Sequence, residues 1–231
     1  MILFDERYKG RLGIYDSVDG VMGVVGLVIG AENPFNMTDE ELERATLYRL
    51  LATLLSAPPD QTLLDQIVGL DKAADDATAL AQALGDLSSA ARHADPVAVD
   101  REFHALFIGM GEGELVPYGS YYQTGFLHER PLARLRGDMR ELGIERVDGV
   151  AEPEDGIASL CEIMAGLIAG DFGEAAPVTS QVAFFEAHVA PWAGQFFSDL
   201  AVAEAANFYR SVGALGRIFF DIESEAFTIT D

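Results

Sequence analysis

The residues best suited to acid and base chemistry lie in the segment EPEDG, which runs from Glu152 to Gly156. Two neighbouring carboxylates, Glu154 and Asp155, could act as a general acid and base if their surroundings separated their pKa values. Acidic residues around a proline are also typical of the first turn of a helix, where they complement the helix dipole. We favour the helix-start interpretation, because no second group of catalytic residue types accompanies these carboxylates.

The other residue types that carry chemistry match no catalytic or metal-binding spacing. No histidine has a glutamate three residues before it or a second histidine at the spacing of helical metal ligands; the four are His93, His104, His128 and His188. We expect His188 to be packed and hydrogen-bonded. The surroundings of Ser120, YGSYY, do not fit the G-x-S-x-G motif, so we interpret Ser120 as the N-cap of the next helix. Cys161 has apolar neighbours at helical spacing and is expected in the core.

The charge balance limits the kinds of partner. The 231 residues include 38 Asp and Glu against 15 Lys and Arg, a formal net charge of -23. Such a surface disfavours nucleic acid and anionic membranes, whose phosphates need clustered basic groups, and it favours a basic peptide. The two lysines, Lys9 and Lys72, follow no phosphate-binding glycine frame, so we expect neither a nucleotide nor another cofactor. A single cysteine allows no internal disulfide, which indicates the cytoplasm.

Hydrophobic periodicity predicts an all-helical chain from Met37 onward. The predicted helices cover residues 39–56, 60–70, 75–93, 96–108, 120–128, 131–142, 153–169, 179–190, 192–209 and 211–224. Thr38 or Asp39 offers an N-cap for the first of them, and acidic residues fill its first turn. The pairs Asp95–Pro96 and Glu152–Pro153 each fit a cap followed by a first-turn proline.

The first 36 residues are expected to lie outside the fold. They contain the most apolar run of the sequence, Asp19 to Ala31, which is too short to span a bilayer and follows acidic rather than basic residues. Because Met37 directly precedes a well-formed helix start, we interpret residues 1–36 as an extension. Residues 37–231 are predicted to form one domain, which is long enough to bury a substantial core.

One stretch breaks the helical pattern: LFIGMGEGELVPYGSYYQTG, from Leu106 to Gly125. It combines five glycines with a proline and three tyrosines. A flexible linker would not need the aromatic residues, and a core helix would not tolerate the glycines. An apolar, aromatic loop bounded by glycines instead suits a groove that accepts varied side chains.

Three stretches together resemble a known family. They are FHALFIGMGEGELVPYGSYY, EPEDGIASLCEIMAGLI and FFEAHVAPWAGQFFSDLAVAEAANFYRSVGALGRIF. In order and spacing they resemble the TorD/DmsD type of redox-enzyme maturation chaperone, over about residues 38–225. The resemblance implies a single-domain, orthogonal helical bundle of the TorD-like type and a cytoplasmic protein that is not an enzyme. Such chaperones bind the twin-arginine signal peptide of a molybdenum-cofactor oxidoreductase and hold back its export until the cofactor is inserted.

The resemblance also implies a peptide-binding site. The positions that match the family's groove are Leu106, Phe107, Pro117, Tyr118, Ser120 and Tyr121. Asp155 matches the acidic residue of the family's E-P-x-D-H motif, and with Glu154 it is a candidate to meet the basic part of the peptide. Gly156 replaces the motif histidine, which would weaken the helix start by roughly 1 kcal/mol relative to a better helix former. We expect neither Tyr121 nor Asp155 to be a core residue.

Two alternatives stay open beside the chaperone. One is a structural helical subunit of a redox complex, and the other is an acid-base enzyme that uses Glu154 and Asp155. The loop and C-terminal stretches resemble family members associated with formate dehydrogenases. The predicted partners are the signal peptide and the body of a molybdopterin oxidoreductase, with no nucleic acid and no stable membrane insertion. The protein would be a monomer or a helix-swapped dimer, with a hinge from Glu145 to Glu152.

Overall fold

The computed structural model describes residues 39–70, 78–109, 113–145 and 152–229. These residues form ten α-helices, one π-helical turn and no β-strand, which confirms the all-α class. The helices are α1 (Asp39–Ser56), α2 (Gln61–Val68), α3 (Ala79–Arg92), α4 (Pro96–Phe107), α5 (Gly119–Thr124), α6 (Arg130–Glu141), α7 (Ile157–Ala169), α8 (Val178–Phe184), α9 (Ala193–Val202) and α10 (Phe208–Ile229). The π-helical turn Phe185–Val189 continues α8. None of the helices in these ranges is long and apolar enough to cross a bilayer.

The chain divides into two compact units, each built from two parts of the sequence. Among the described residues, unit 1 combines residues 39–56 with those of 118–191, and unit 2 combines those of 57–117 with residues 192–229. Our expectation of a single domain from residue 37 onward stays a prediction. The predicted extension and the Thr38 cap lie outside the described residues, as does most of the predicted hinge from Glu145 to Glu152.

In unit 1, helix α1 packs along helix α7. Nearly every residue of α7 is buried, so this helix has no solvent-facing side. A helix buried all round is typical of the centre of a core. From α1, the side chains of Tyr48, Leu51 and Leu54 are fully buried. Cys161 of α7 is buried as predicted, and burial raises the pKa of its thiol, which therefore stays protonated at neutral pH.

In unit 2, helix α10 packs against α9, α3 and α4. Aromatic rings fill the contact between α9 and α10, where the ring centroids of Phe197 and Phe220 are 5.0 Å apart. Glycine allows the two backbones to approach, because a Cβ added to Gly213 would lie 2.5 Å from the backbone nitrogen of Ala201. Packing, rather than backbone conformation, therefore requires a glycine at this position.

Replacement of Gly213 by alanine is expected to destabilise the protein by about 2 kcal/mol, because the new methyl group must push the two helix backbones apart. The matched control is Gly85→Ala in α3 of the same unit, where an added Cβ meets nothing within 4 Å. That change should stabilise by about 0.5 to 1 kcal/mol through helix propensity. Urea unfolding measures both effects, and equal stability of the two variants would contradict the close contact.

The predicted helix 192–209 is wrong, because the chain forms two helices, α9 and α10, with extended backbone at Ala203 between them. Two carboxylates accept hydrogen bonds from backbone N–H groups between the two helices and at the start of the second. Glu114 accepts hydrogen bonds from the backbone N–H groups of Glu204 at 2.6 Å and Ala205 at 2.9 Å. Glu102 accepts from the N–H groups of residues 207, 208 and 209, at 2.7, 3.1 and 2.7 Å. Glu102 thus caps the start of α10, and Glu114 binds the residues before it, roles that local periodicity does not reveal.

Candidate functional site

Within unit 1, Asp155 ties the acidic segment to helix α5. Its Oδ2 accepts hydrogen bonds from the backbone N–H of Ser120 at 2.7 Å and from the Ser120 hydroxyl at 2.5 Å. The Asp155 backbone carbonyl also accepts from the N–H of Gly119, at 2.8 Å. These bonds satisfy N–H groups of the first turn of α5, which otherwise lack partners. Asp155 therefore fixes where α5 begins.

This arrangement corrects three sequence predictions. Ser120 is not the N-cap of the helix, because α5 already includes Gly119 and the cap position is Tyr118. Glu152 and Pro153 do not begin a helix, since α7 starts at Ile157. Asp155 was expected outside the core, yet its exposed fraction is only 3%. The three differences have one cause. Polar side chains that local rules assign to helix capping instead form hydrogen bonds with residues far away in the sequence.

Glu154 is paired with an arginine of helix α6. The Arg136 guanidinium donates to Glu154 Oε2 through Nε at 3.0 Å and through Nη2 at 2.7 Å. The Glu154 side chain is 4% exposed and the Arg136 side chain is 43% exposed. The hydrogen bond to Glu154 raises the pKa of Arg136 above its ordinary value. Glu154 is thus buried with its charge neutralised, and Arg136 covers it.

Tyr118 and Glu152 form the third link of the acidic segment. The Tyr118 hydroxyl donates a short hydrogen bond to Glu152 Oε2. Burial of the ring, together with this bond, raises the pKa of Tyr118, so the hydroxyl remains a donor at neutral pH. The Tyr118 backbone pairs with Gly156 in an isolated antiparallel bridge. Glu152 differs from Glu154 and Asp155 because its side chain is exposed.

A group of exposed apolar side chains follows these links along the chain. It comprises Tyr121, Phe126 and Leu127, which are 39%, 69% and 44% exposed. Left-handed backbone at Gly125 (φ 81°) and His128 (φ 60°) frames the last two residues. For a side chain other than glycine or asparagine, such backbone is unfavourable and persists only where the surrounding structure holds it. We call these three residues the aromatic surface.

The aromatic surface was only partly predicted. Tyr121 was expected outside the core, and the structure agrees. Phe126 and Leu127 were assigned to a predicted helix that ends, in the structure, at Thr124. Gly125, with its left-handed backbone (φ 81°), forms the C-cap of the helix, and its N–H donates to the Tyr121 carbonyl. The signal that could have identified the two residues is a pair of large apolar side chains directly after Gly125, the glycine that ends the helix.

Three predicted site residues belong to unit 2. Leu106 is fully buried and contributes to the core. Phe107 is half-buried and packs edge-on against Phe103 and Tyr209, with ring centroids 5.1 and 5.5 Å away. Pro117 is half-buried and is the last residue of its part of the unit. The remaining predicted site residues, Tyr118, Ser120, Tyr121, Glu154 and Asp155, all lie in unit 1.

A cleft of about 450 Å³ lies between α6 and α8 in unit 1, lined by Arg134, Asp138, Glu141, Leu142, Ser180, Ala183, Phe184 and Ala187. Next to it, Nε2 of His188 lies 2.7 Å from Oδ2 of Asp138. Burial lowers the pKa of His188, against the raising effect of the Asp138 carboxylate. His188 is therefore packed and hydrogen-bonded, as predicted. Within the described ranges, no group of three or more His, Cys, Asp or Glu side chains could hold a metal ion.

Known proteins share both the sequence pattern and the fold. The family model of the nitrate reductase delta subunit matches residues 73–198, more than half of the chain. A solved structure from Archaeoglobus fulgidus, assigned as a redox enzyme maturation protein, aligns with a TM-score of 0.53 and 18% identity, over 77% of this chain and 93% of its own. At 18% identity, the similarity between the two structures shows a shared fold. No curated protein matches the chain. The family match confirms the resemblance found in the sequence: the chain belongs to the nitrate reductase delta subunit family, a family of redox enzyme maturation chaperones.

Proposed function

We propose that the protein is a cytoplasmic chaperone that binds the twin-arginine signal peptide of a molybdenum-cofactor oxidoreductase and assists its maturation before export. The observation that carries this proposal is the aromatic surface of unit 1. Tyr121 is exposed on helix α5, Phe126 and Leu127 are exposed in the turn that follows it, and the helix is tied to an acidic segment. A signal of this kind is a basic segment followed by an apolar one, and it needs both kinds of surface.

The aromatic surface suits the apolar part of such a peptide. Large rigid aromatic side chains bury much area at little cost in conformational entropy, and they accept varied apolar partners. Phe126 is the most exposed of the three, at 69%. Leaving it in water costs free energy, which a bound apolar segment would recover. A net charge of -23 would in addition attract the basic end of the peptide.

Calorimetry with synthetic signal peptides tests the proposal. The panel contains signals of nitrate reductases, because the family description names that enzyme, and of formate dehydrogenases, which the sequence resemblance favours. Binding in the micromolar range or tighter is expected for at least one peptide. Replacing its two arginines by glutamine should weaken binding modestly, and polar substitution of its apolar segment should weaken it more. If no peptide of the panel binds, the proposal is wrong.

Two substitutions on the aromatic surface should separate its role from general surface effects. Tyr121→Ala and Phe126→Ser are each expected to cost about 1 to 3 kcal/mol of peptide affinity, nearly independent of salt, because they remove apolar contacts. Val178→Ser is the matched control, since Val178 is a 40% exposed apolar residue of the same unit on another helix. Calorimetric titration of each variant with the peptide measures these affinities. Equal affinities for all three would place the binding surface elsewhere.

A structural subunit of a redox complex is the second candidate, because the matching family is described as a subunit. The two candidates differ in stoichiometry and timing. A chaperone should be recovered with the precursor of its client and leave the mature enzyme. A structural subunit should remain in equal amount in the mature enzyme. Quantitative affinity purification from the native host, before and after cofactor insertion, distinguishes them.

A further inference from the structure

We propose that residues 21–31 of this chain, VMGVVGLVIGA, bind to the aromatic surface and compete there with the signal peptide. This segment precedes helix α1 and lies outside the described residues. The inference rests on the proposed function and adds a means of regulating the same surface. The protein covers its binding surface with a segment of its own until a client displaces it.

The start of the chain has the same order of chemical character as the proposed ligand. Three of the 15 Lys and Arg residues lie close together as Arg7, Lys9 and Arg11. Residues 21–31 follow them and contain only apolar residues and glycines. A twin-arginine signal is likewise a basic segment followed by an apolar one. A surface that accepts such a signal through apolar contacts therefore also suits residues 21–31.

Contact between this segment and the aromatic surface removes apolar area from water on both sides. Phe126 is the most exposed aromatic side chain among the described residues, and Tyr121 and Leu127 are exposed as well. Hydrophobic association is non-directional and grows with the area removed from water, so it needs no exact match between side chains. Residues 21–31 belong to the most apolar run of the sequence, which makes them a suitable partner for this surface.

The connection between the segment and unit 1 is long enough for this contact. Residues 32–38 separate the segment from Asp39, where α1 begins in the same unit as the aromatic surface. Seven extended residues span about 25 Å. A compact unit of roughly 90 residues has a radius of gyration of about 12 Å. The segment can therefore reach the aromatic surface of its own chain.

Covalent attachment lets a weak contact compete with a client. A short connection gives the attached segment an effective concentration on the order of 1 mM. A segment with a Kd of about 100 µM then covers the surface about nine-tenths of the time and weakens an external peptide about tenfold. Gly23, Gly26 and Gly30 leave gaps in the row of apolar side chains, so the segment binds more weakly than a continuous apolar peptide. A client with a stronger signal can displace it.

Substitutions in the full chain test the competition. Val25→Asp combined with Leu27→Asp should tighten binding of the twin-arginine peptide about tenfold, because charges in the segment oppose its apolar contact. The matched control is Leu12→Asp combined with Ile14→Asp, which adds the same charge before the segment and should change the affinity less than twofold. Calorimetry measures both. Equal tightening by the two double variants would show a general charge effect and would overturn the inference.

A crosslinking readout without any peptide separates this inference from the proposed function. A photoreactive phenylalanine analogue replaces Phe126 in the purified full chain, with the same analogue at Val178 as a control. We expect position 126 to crosslink to residues 21–31 within one chain, at a yield independent of protein concentration, and position 178 not to do so. The Val25→Asp, Leu27→Asp variant should lose this crosslink.

The two proposals fail in different ways. If the signal peptide binds but position 126 gives no crosslink to residues 21–31, or only crosslinks between two chains, this inference is wrong and the proposed function stands. If the crosslink within one chain forms but no peptide of the panel binds, the contact is upheld and the proposed function is wrong.

Discussion

An Asp155→Ala variant is expected to lose about 2 to 4 kcal/mol of unfolding free energy. The change removes the acceptor of two hydrogen bonds from Ser120, whose side chain is fully buried. Each buried donor left without a partner costs about 1 to 3 kcal/mol. The loss is a large fraction of the total stability of an ordinary domain, about 5 to 15 kcal/mol.

Two milder substitutions show whether the hydrogen bonds cause that loss. Ser120→Ala removes only the hydroxyl donor and should cost about 1 kcal/mol, because the backbone N–H still reaches Asp155. In the Asp155→Ala background the same change should cost less, since the hydroxyl is already unpaired. Denaturant unfolding of the single and double variants completes the cycle. An Asp155→Ala variant as stable as wild type would contradict the link between the acidic segment and α5.

The Arg49→Met variant is expected to lose about 3 to 5 kcal/mol at neutral pH. Nη2 of Arg49 in α1 donates to Oδ2 of Asp171 at 2.8 Å, and the two side chains are only 3% and 7% exposed. Without the arginine, the Asp171 carboxylate stays buried and loses the cation that is hydrogen-bonded to it. Removing one partner of a buried pair is costly mainly for this reason.

The deficit of Arg49→Met should depend on pH. Burial raises the pKa of Asp171, and the charge of Arg49 opposes that rise. Without Arg49 the folded-state pKa rises further above the unfolded value, so the folded protein binds a proton more tightly than the unfolded chain does. The stability of the variant should therefore recover as pH falls through the raised pKa. Thermal unfolding at pH 7 and at about pH 5 should show a narrower gap to wild type at the lower pH.

Two control variants separate this buried pair from charge in general. Arg217→Met removes a partner of an exposed pair, in which Arg217 and Asp221 are 48% and 61% exposed, and should cost less than about 1 kcal/mol. Arg49→Met combined with Asp171→Leu removes both charges and should recover most of the lost stability. Equal losses for Arg49→Met and Arg217→Met would contradict the proposed origin of the effect.

The sequence predicts those helices whose limits depend on local signals. Helix α1 begins and ends where predicted, because acidic first-turn residues, a leucine stripe and the pair Pro58–Pro59 all act within a few residues. Helix α7 begins four residues later than predicted, since the acidic residues around Pro153 bond to α5 and α6 instead of capping. The break before α10 depends on Glu102, about a hundred residues away, and no local pattern contains it.

In the candidate site, too, the sequence predicts some features, while others depend on long-range contacts. The sequence singled out Tyr118, Ser120 and Asp155, and the structure brings all three together in one unit. The sequence could not reveal which carboxylate of the acidic segment remains exposed, because that depends on what the fold places beside each of them. Arg136 covers Glu154, whereas the Tyr118 hydroxyl donates a hydrogen bond to Glu152.

Photo-crosslinking in the native host tests the central claim most directly. A photoreactive phenylalanine analogue is placed at Tyr121 on the aromatic surface, or at Val178 as a control of similar exposure. The account predicts that position 121 captures an oxidoreductase precursor, with the crosslink in its N-terminal signal peptide, and that position 178 does not. Crosslinks from position 121 that fall only in the mature part of the enzyme, or equal capture from both positions, would contradict it.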